Sequence, residues 1–417
     1  MKIAYKEVDK CRICGGGELI EVLSLGVQML TGVFPREKNK NAATSGPLTL
    51  VKCCGLNACG LVQLKHSYDL SEMYGMNYGY RSGLNKSMVS HLTQKVNRAL
   101  NMVPVKDGDL IIDIGSNDAT TLKAYPNENL LLVGIDPTGV KFRAYYPDHV
   151  RLLPDFFSAD LVKKNFQGKK AKIVTSFSMF YDLESPIDFM RQIHEILDDD
   201  GVWIFEQSYM PSMLNTNSFD TVCHEHLEFY GLHQIQFMAS RVGFHIVDIE
   251  FNDINGGSFS ITVRKKSIDD TLTAAVQRVL EHESHLGLDT LTPYNEFSDR
   301  VSESKKEFLN FIKTEKALGK SFSALGASTK GNVLLQYYGL TCKEIDYVGE
   351  VNIEKVGGYT PGSWIPIIHE DVLLEMKPDY LIVLPWHFKE FFMSCEKFKS
   401  SILIFPLPNL TVVQNEA

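Results

Sequence analysis

The chain has 417 residues, with 42 Lys and Arg against 51 Asp and Glu, which gives a formal net charge of -9. This length predicts two or three domains, and the acidic balance disfavours a dedicated nucleic-acid binder, which needs a broad cationic surface. No stretch approaches the ~20 apolar residues of a membrane span, and the amino terminus lacks the apolar run of a secretory signal. We therefore expect a cytoplasmic protein that binds neither nucleic acid nor membrane.

The first predicted feature is a zinc site, because five of the eight cysteines fall in the first 60 residues. In a reducing compartment such clustering favours a metal over disulfides. Cys11 and Cys14 form a C-x-x-C-G turn, and Cys59 pairs with either Cys53 or Cys54 farther along. Cys53 ends a strand-like run, so we favour it as the third ligand. Four thiolates from two turns predict a closed tetrahedral site of the structural kind; buried free thiols are the alternative.

The segment around these cysteines, residues 1–80, consists of short strand-like runs broken by Gly and Pro. It predicts a small module with too little core of its own. A helical stretch begins at about residue 86 and is followed by continuous apolar runs, which are typical of parallel strands covered on both faces. We predict a doubly wound sheet completed by an antiparallel pair. Its strands are predicted at Leu110 to Ile114, Leu131 to Ile135, Ile173 to Phe177, Val202 to Phe205, His245 to Phe251 and Ser258 to Val263.

Residues 266 to about 318 are charged and helix-favouring, and they predict a connector to a third unit with α/β texture. Its strands are predicted at Ser321 to Leu325, Tyr347 to Gly349, Tyr380 to Leu384 and Ile402 to Phe405, with a helix, GNVLLQYYG, after the first. The predicted fold class is therefore α/β. We expect an N-terminal zinc-binding module (residues 1–80), a central Rossmann-like domain (81–285) and a C-terminal second Rossmann-like domain (286–417).

The first central strand ends in a turn that favours a nucleoside ligand. Asp113, Gly115, Ser116 and Asn117 lie in the sequence DIGSND, and Asp136 ends the next strand, 21 residues past the glycine, where it can accept both hydroxyls of a ribose. The absence of G-x-G-x-x-G leaves no evident cradle for a pyrophosphate. The pattern D-x-G-S/C-x-x-G with a distal acid is how S-adenosylmethionine (SAM) folds usually begin, so we predict SAM as the cofactor. A strand end without a ligand is the alternative.

A cluster of ionisable residues, His224, Glu225 and His226, follows the fourth central strand. Position 228 is Glu, so the H-E-x-x-H motif of zinc proteases is absent. Consecutive residues cannot share one helix face, so at most one or two of the three side chains can point at the same substrate. Taken alone, this run is more often a solvated turn than a catalytic one.

Over nearly its whole length the chain resembles the SAM-dependent sugar C-methyltransferases of deoxysugar biosynthesis. The resemblance rests on the ordered segments CRICG, LVKC, CGLVQL, YGYRSG, IDIGSND, FDTVCHEHLEFY, NGGSFSITV, GASTKGNVLLQYYG, GYTPGSWIPI and DYLIVLPWHF. It implies a zinc module, a central SAM-dependent methyltransferase domain and a C-terminal Rossmann-like domain, with the nucleotide sugar held between the last two. The implied reaction methylates C3 of a dTDP-linked 4-keto-6-deoxy sugar.

That reaction needs a base to remove the acidic C3 proton, a donor for the oxyanion that develops on C4, and a line from carbon through methyl to sulfur. A histidine, with an ordinary pKa of ~6.5, suits the first need. By resemblance His226 is the base, and Glu225 or His224 orients it or touches the sugar. Tyr78 or Tyr80 supplies a phenol near the reacting face, or packs a domain joint.

In the C-terminal domain, the segment GASTKGN joins a strand to a helix N-terminus. That position suits phosphate oxygens, with Lys330 as a point charge; a fold kept only for stability is the alternative. The predicted substrate contacts are Asn255, Gly257, Lys330, Asn332, Pro361 and Gly362. The predicted cofactor contacts are Asp113, Gly115, Ser116, Asn117, Asp136 and Phe156.

Three positions depart from the family pattern. Members of the family carry Tyr at the position of Cys223, His at Tyr181 and His at Asn255, so polar groups around the sugar are lost and the methylated carbon or the sugar can differ. A nicotinamide-dependent nucleotide-sugar oxidoreductase or epimerase is the alternative enzyme, and a non-catalytic zinc-ribbon module in a sugar-pathway assembly is a third reading. The expected partner is the nucleotide-sugar substrate. No motif sets the oligomeric state, and we expect a monomer.

Overall fold

The computed structural model describes residues 5–38, 44–69, 73, 80–126, 129–267 and 271–414. Its strands form three main sheets of four, seven and six strands and one two-stranded pair. The larger two sheets are mainly parallel with helices packed against them, which confirms the predicted α/β class. Among the described residues, none of the helices is both long enough and apolar enough to cross a membrane.

The four-stranded sheet belongs mainly to the N-terminal segment and has the order β11-β4-β3-β2. Its strands and the flanking pair are β1 (Tyr5–Glu7), β2 (Leu19–Met29), β3 (Ser45–Cys53), β4 (Val62–Leu64), β5 (His66–Tyr68) and β11 (Glu228–Phe229). Apolar residues of β2 and β3, such as Leu23 and Leu50, join one buried cluster with the six-stranded sheet. The prediction that this module lacks a core of its own is therefore confirmed, since it borrows one.

The seven-stranded sheet has the order β12-β13-β10-β9-β6-β7-β8, in which β13 is antiparallel to both of its neighbours, β12 and β10. Its strands are β6 (Leu110–Ile114), β7 (Leu131–Ile135), β8 (Val150–Leu153), β9 (Ala171–Phe177), β10 (Leu197–Ser208), β12 (Phe244–Asn252) and β13 (Ser258–Lys265). All six predicted strands are confirmed, and β8 is an addition. The five parallel strands end at one edge of the sheet, which is where such sheets bind ligands.

Helices flank this sheet and connect it to the C-terminal part. They are α1 (Lys86–Met102), α2 (Thr120–Lys123), α3 (Gly139–Phe142), α4 (Ala159–Phe166), α5 (Pro186–Ile196), α6 (Met210–Asn215), α7 (Leu232–Val242), α8 (Ala274–His285) and α9 (Thr292–Ala317). The last two confirm the predicted helical connector. At the start of α7, the backbone N–H groups of Leu232 and His233 donate to the carboxylate of Glu283 in α8, so α8 holds α7 in place.

The six-stranded sheet has the order β16-β15-β14-β17-β18-β19, with β19 antiparallel. Its strands are β14 (Phe322–Leu325), β15 (Val348–Glu350), β16 (Ile367–His369), β17 (Tyr380–Val383), β18 (Ile402–Phe405) and β19 (Thr411–Gln414). Its helices are α10 (Thr329–Tyr338), α11 (Glu370–Glu375) and α12 (Lys389–Ser394). The loop between β14 and α10 lies at the carboxyl edge, as predicted for a second Rossmann-like sheet.

Candidate active site

Four cysteines meet in the N-terminal module. The sulfur atoms of Cys11, Cys14, Cys53 and Cys59 all lie within 4.8 Å of one another, and two of the pairs are 3.4 Å apart. Four sulfurs at ~2.3 Å from one zinc ion lie ~3.8 Å from each other, so this donor set fits a tetrahedral zinc ion. Cys54 lies outside the cluster, which resolves the choice between the two neighbouring cysteines in favour of Cys53.

The zinc-binding turn also contacts the central sheet's loops. The Arg12 guanidinium donates to the carbonyl oxygen of Leu64 at 2.6 Å and lies 3.7 Å from the buried carboxylate of Glu228. Gln234 at the start of α7 donates to the carbonyl oxygen of Cys59 at 2.9 Å. The cysteine cluster therefore fixes groups that reach the segment carrying the predicted catalytic residues.

The predicted cofactor turn lies at the carboxyl ends of β6 and β7. Gly115 has φ +73°, and a Cβ there would lie 3.2 Å from the Met179 side chain, so the tight turn requires glycine. The backbone N–H of Asn117 donates to Asp136 at 2.7 Å, and Ser116 contacts the Tyr146 hydroxyl at 2.8 Å. The structure thus brings together four of the predicted cofactor residues.

Another predicted cofactor residue, Phe156, follows β8 at the same edge of the sheet and is 53% exposed. The ring of Phe156 is therefore available to a planar ligand. Asp136 has its other carboxylate oxygen occupied by the Thr138 backbone N–H and hydroxyl, at 2.7 and 2.6 Å.

The end of the YGYRSG segment packs against this turn. Asn117 donates through its side-chain amide to the carbonyl oxygen of Tyr80 at 3.1 Å and accepts from Ser82 N at 3.0 Å. Burial of the Tyr80 hydroxyl raises its pKa, although the residue as a whole is 49% exposed. Tyr80 therefore contacts the cofactor turn, while Tyr78 lies outside the described residues.

Asp113, the remaining predicted cofactor residue, lies in strand β6 and not in the turn that follows it. It is buried and accepts the Thr175 hydroxyl at 2.6 Å, and burial raises its pKa to about 7. In the unfolded chain the pKa of an Asp is ~3.9. Between this pH and about 7, Asp113 is therefore protonated in the folded protein and ionised in the unfolded chain.

This raised pKa makes a pH-dependent contribution to stability. Because the folded state retains the proton, the free energy of unfolding should fall as the pH rises from about 4 to about 7. In Asp113→Asn, we expect the decrease in the free energy of unfolding between pH 4 and pH 7 to be smaller by on the order of 2–4 kcal/mol. Urea unfolding of both proteins across this range measures it, and parallel pH profiles would contradict the assignment.

His226 lies in the loop that follows α6. Its Nδ1 is 2.8 Å from the carbonyl oxygen of Thr221, which can only accept, so Nδ1 carries the proton and the lone pair is on Nε2. Burial, and next the positive charge of Lys330, lower its pKa to about 4. The imidazole is thus neutral at pH 7. The pKa of His226 is therefore lower than the ordinary histidine value expected from the sequence, because the imidazole is more buried than in a solvated turn.

The other two members of the cluster point elsewhere. His224 is fully buried, its Nε2 lies 3.5 Å from the carbonyl oxygen of Gly46, and its ring meets Tyr68 edge-on at 4.7 Å. It therefore packs against the N-terminal sheet and does not orient His226, which is a correction. Glu225 lies against Gly32, and Oε2 of its carboxylate has no hydrogen-bond partner among the described residues.

Lys330 and Asn255 meet across the two Rossmann-like sheets. Lys330 Nζ donates to the carbonyl oxygen of Asn255 at 2.5 Å, and Asn255 adopts φ +57° in the turn between β12 and β13. Nearby, Trp386 donates from its indole to Asp220 at 2.8 Å. Gly256 lies against the same indole, with 3.8 Å from the position of a Cβ to the ring. Predicted substrate residues of two domains thus form one cleft wall.

Three predicted substrate contacts have structural roles in this structure. Asn332 is fully buried and donates to the carbonyl oxygen of Thr31 at 2.7 Å, which fastens α10 to the N-terminal module. Gly362, next to Pro361 in its turn, lies against the Gln336 side chain. Gly257 has φ +118°, and its carbonyl oxygen accepts from Tyr209 N at 3.1 Å. The amide nitrogen of Asn332 is thus occupied, whereas its Oδ1 has no hydrogen-bond partner among the described residues, so Asn332 stays a predicted ligand contact.

Sequence reasoning named Tyr181 only as a departure from the family pattern, and it did not predict Tyr209, Trp386 or His387 as residues of the site. The Tyr181 ring lies 4.3 Å from the His226 ring, and both line a cavity of about 10 Å³, room for one water molecule, together with Tyr209 and Glu228. Trp386 and His387 come directly after β17, so their position at a strand's carboxyl end was the available signal.

Comparison with known proteins agrees with this organisation. Residues 11–74 match a family described as a zinc binding domain, residues 85–249 a methyltransferase domain, and residues 253–408 a C-methyltransferase C-terminal domain. The three matches follow one another along the chain in the order of the cysteine cluster, the seven-stranded sheet and the six-stranded sheet.

One curated relative matches the whole chain. The C-methyltransferase NovU of Streptomyces niveus is 27% identical over 427 residues, covering 100% of both proteins. Among solved structures, a methyltransferase in complex with the Haloferax volcanii Trm112 activator is 16% identical, with a TM-score of 0.37, over 44% of this chain and 95% of that chain. The CcbJ methyltransferase of Streptomyces caelestis is 12% identical, with a TM-score of 0.33, over 42% and 90%. The three domain matches and the similarity to a full-length C-methyltransferase support a SAM-dependent methyltransferase enzyme with an N-terminal zinc-binding domain.

Proposed function

We propose that the enzyme transfers a methyl group from SAM to C3 of an NDP-linked 4-keto-6-deoxyhexose, with dTDP as the expected nucleotide, in branched deoxysugar biosynthesis. His226 acts as the base. The observation that carries this proposal is the state of His226, whose Nδ1 is held by the Thr221 carbonyl so that a neutral imidazole offers its Nε2 lone pair. A general base must be unprotonated at the working pH, and this one is.

The position of the site supports a substrate held between the central and C-terminal domains. The turn between β12 and β13 and the loop between β14 and α10 meet through Asn255 and Lys330, and the cofactor turn lies at the carboxyl edge of the same seven-stranded sheet. The resemblance to sugar C-methyltransferases supplies the substrate class. We retain the domain limits 1–80, 81–285 and 286–417 as part of the proposal.

The chemistry proceeds in two steps. His226 Nε2 removes the C3 proton, the C–H pair forms a C3–C4 double bond, and the C4 carbonyl pair moves onto oxygen. Bound SAM would supply the electrophilic methyl group: the enolate pair would form the C3–methyl bond, the C4 carbonyl would re-form, and the methyl–sulfur pair would stay on sulfur as S-adenosylhomocysteine leaves. His226 keeps the abstracted proton until solvent takes it. Glu225 is proposed to accept a sugar hydroxyl, because its buried carboxylate has an oxygen that no described residue binds.

The direct test uses dTDP-4-keto-6-deoxyglucose and SAM with a ¹³C-labelled methyl group. We expect one labelled methyl on C3 of the product by NMR, and solvent deuterium at C3 when the sugar is incubated in deuterium oxide without SAM. Methylation at oxygen or nitrogen, or no reaction with any 4-keto sugar nucleotide, would overturn the proposal.

The cofactor part makes a second prediction. Asp136 holds the cofactor turn through Asn117 N and keeps acceptor capacity on Oδ2 for a ribose hydroxyl, so Asp136→Asn should weaken SAM binding by about 10–100-fold. Asp109→Asn is the matched control, because Asp109 accepts the Lys106 backbone N–H at 2.9 Å at the opposite end of β6. Isothermal calorimetry measures both variants, and equal affinities would remove Asp136 from the ribose site.

A further inference from the structure

Lys330 lies at the centre of a buried cluster that spans the two domains. Its ammonium binds one acceptor among the described residues, the carbonyl oxygen of Asn255, although an ammonium has three donors. Burial lowers the pKa of Lys330, and the Asp220 carboxylate opposes that shift. Lys330 in turn lowers the pKa of both His226 and His387, after burial. One cation therefore affects His226, His387 and Asp220 together.

Several polar atoms in the cluster are unpartnered. Oδ1 of Asp220 and Nδ1 of His387 are buried without a hydrogen-bond partner among the described residues, and Nε2 of His226 carries the free lone pair. Buried polar groups are rarely left unpaired in native proteins, so unpaired groups that converge from two domains indicate a polar ligand between them. A sugar ring with a ketone and hydroxyls has both the donors and the acceptors that these groups lack.

The neighbouring loop is poorly prepared for phosphate, the role predicted from the sequence. The Ala327 backbone N–H donates to the Glu350 carboxylate at 2.9 Å, and the Gly331 backbone N–H donates to the Ser328 hydroxyl at 3.0 Å. Two amides that would cradle phosphate oxygens are thus occupied. Asp220 adds a negative charge on the Lys330 side, which disfavours a second anion of high charge.

We propose that Lys330 is the electrophilic group of the reaction, a catalytic residue that hydrogen-bonds the C4 oxygen and stabilises the enolate while His226 takes the C3 proton. This inference rests on the proposed function. The C–H pair becomes the C3–C4 double bond, the carbonyl pair becomes the oxyanion, and Lys330 keeps its proton throughout. The Asp220 carboxylate favours the charged form of Lys330, and the Trp386 indole donates a hydrogen bond that holds Asp220.

The arrangement separates the two charges that form. The new imidazolium at His226 is positive and the new oxyanion at C4 is negative. A cation near both stabilises the oxyanion and destabilises the imidazolium. Burial and, next, the charge of Lys330 favour the neutral imidazole of His226 in the free enzyme. The diphosphate of a bound substrate and the enolate raise the affinity of His226 for a proton when proton transfer is required.

Lys330→Met, which keeps the aliphatic stem and removes the charge, tests this role. Loss of one oxyanion donor costs about 10²–10³-fold, so both C3 proton exchange in deuterium oxide without SAM and methyl transfer should fall by that factor. Affinity for dTDP, measured by calorimetry, should stay within about threefold of the wild type. The acid limb of the pH–rate profile should move to higher pH, towards that of an ordinary histidine. The charged or titratable groups that interact with Lys330 are Asp220, Cys223, His226 and His387.

Lys355→Met is the matched control. Lys355 is a second, partly buried lysine at the same sheet edge, and it donates to the carbonyl oxygen of Ala327 at 2.7 Å. We expect near-normal exchange in this variant. If Lys330→Met exchanges the C3 proton normally but binds dTDP at least tenfold more weakly, Lys330 is a phosphate anchor and the proposal is wrong. Wild-type inactivity on every 4-keto sugar would instead remove the proposed function itself.

Discussion

Replacement of His226 by Asn should lower turnover by about 10²–10⁴-fold, the usual contribution of a general base, while SAM affinity stays nearly unchanged. The asparagine amide can still donate to the Thr221 carbonyl, so the loop keeps the bond that Nδ1 makes at 2.8 Å. What the variant lacks is a lone pair of sufficient basicity. Binding of SAM depends on the turn after β6, which His226 does not support. Steady-state kinetics and calorimetry measure the two effects separately.

His194→Asn is a suitable control for this variant. His194 lies on α5, where its ring packs edge-on against Phe244 with 5.1 Å between centroids. Any loss caused by replacing a partly buried histidine as such should appear there, with turnover unaffected. Imidazole added to His226→Ala offers a further check, since partial rescue identifies a missing base. Turnover of the His226 variants within a few-fold of wild type would show that another group removes the proton.

The sheets of the two large domains were predictable because buried parallel strands are continuous apolar runs. The exceptions have physical reasons. Strand β8, Val150–Leu153, has only four residues and includes the exposed Arg151, so it gives a weak apolar signal. Strand β10 begins at Leu197, but its next residues are three aspartates, which are typical of a turn. Leu197 pairs with Ala171 and Val202 with Ile173, so the aspartates fall in an irregularity between these two pairs with β9.

The site itself was predictable residue by residue but not as an arrangement. The motifs identified His226, Asn255 and Lys330, yet nothing in the sequence shows that Lys330 contacts a carbonyl 75 residues away. Position along the chain also could not separate His224 from His226. Their backbones follow one another, and only the packing of the N-terminal sheet turns the first histidine away. The nicotinamide alternative has no support in the family matches.

The N-terminal module supports the active site through β11. This strand has only two residues, so it gives no recognisable strand pattern in the sequence. Glu228 pairs with Gln63 and Phe229 with Val62, so the segment that carries His226 continues directly into the four-stranded sheet. Leu64 N also donates to the carbonyl oxygen of Leu227 at 2.8 Å. The position of the imidazole therefore depends on β4.

Loss of the zinc ion should consequently abolish most methyl transfer, by at least about 10²-fold, while the affinity for SAM changes little. Structural zinc sites contribute folding free energy outright, so a module without a full core should loosen when Cys59→Ser or a chelator removes the ion. Strand β4 follows Cys59 closely, and its pairing with β11 should be lost together with the bonds of Arg12 to Leu64. The cofactor turn rests on β6 and β7 and should persist.

Cys54→Ser is the matched control, because Cys54 adjoins a ligand but lies outside the cluster. It should retain one zinc ion per chain and normal turnover. Hydrogen exchange gives the decisive comparison: in Cys59→Ser, residues 224–229 should lose protection while residues 110–117 keep theirs. A protein that loses its zinc and yet methylates at the normal rate, with residues 224–229 still protected, would mean that the zinc module and the catalytic loop are independent. If Cys59→Ser still binds SAM but no longer exchanges the C3 proton of the sugar with solvent, the metal acts by holding His226 in place.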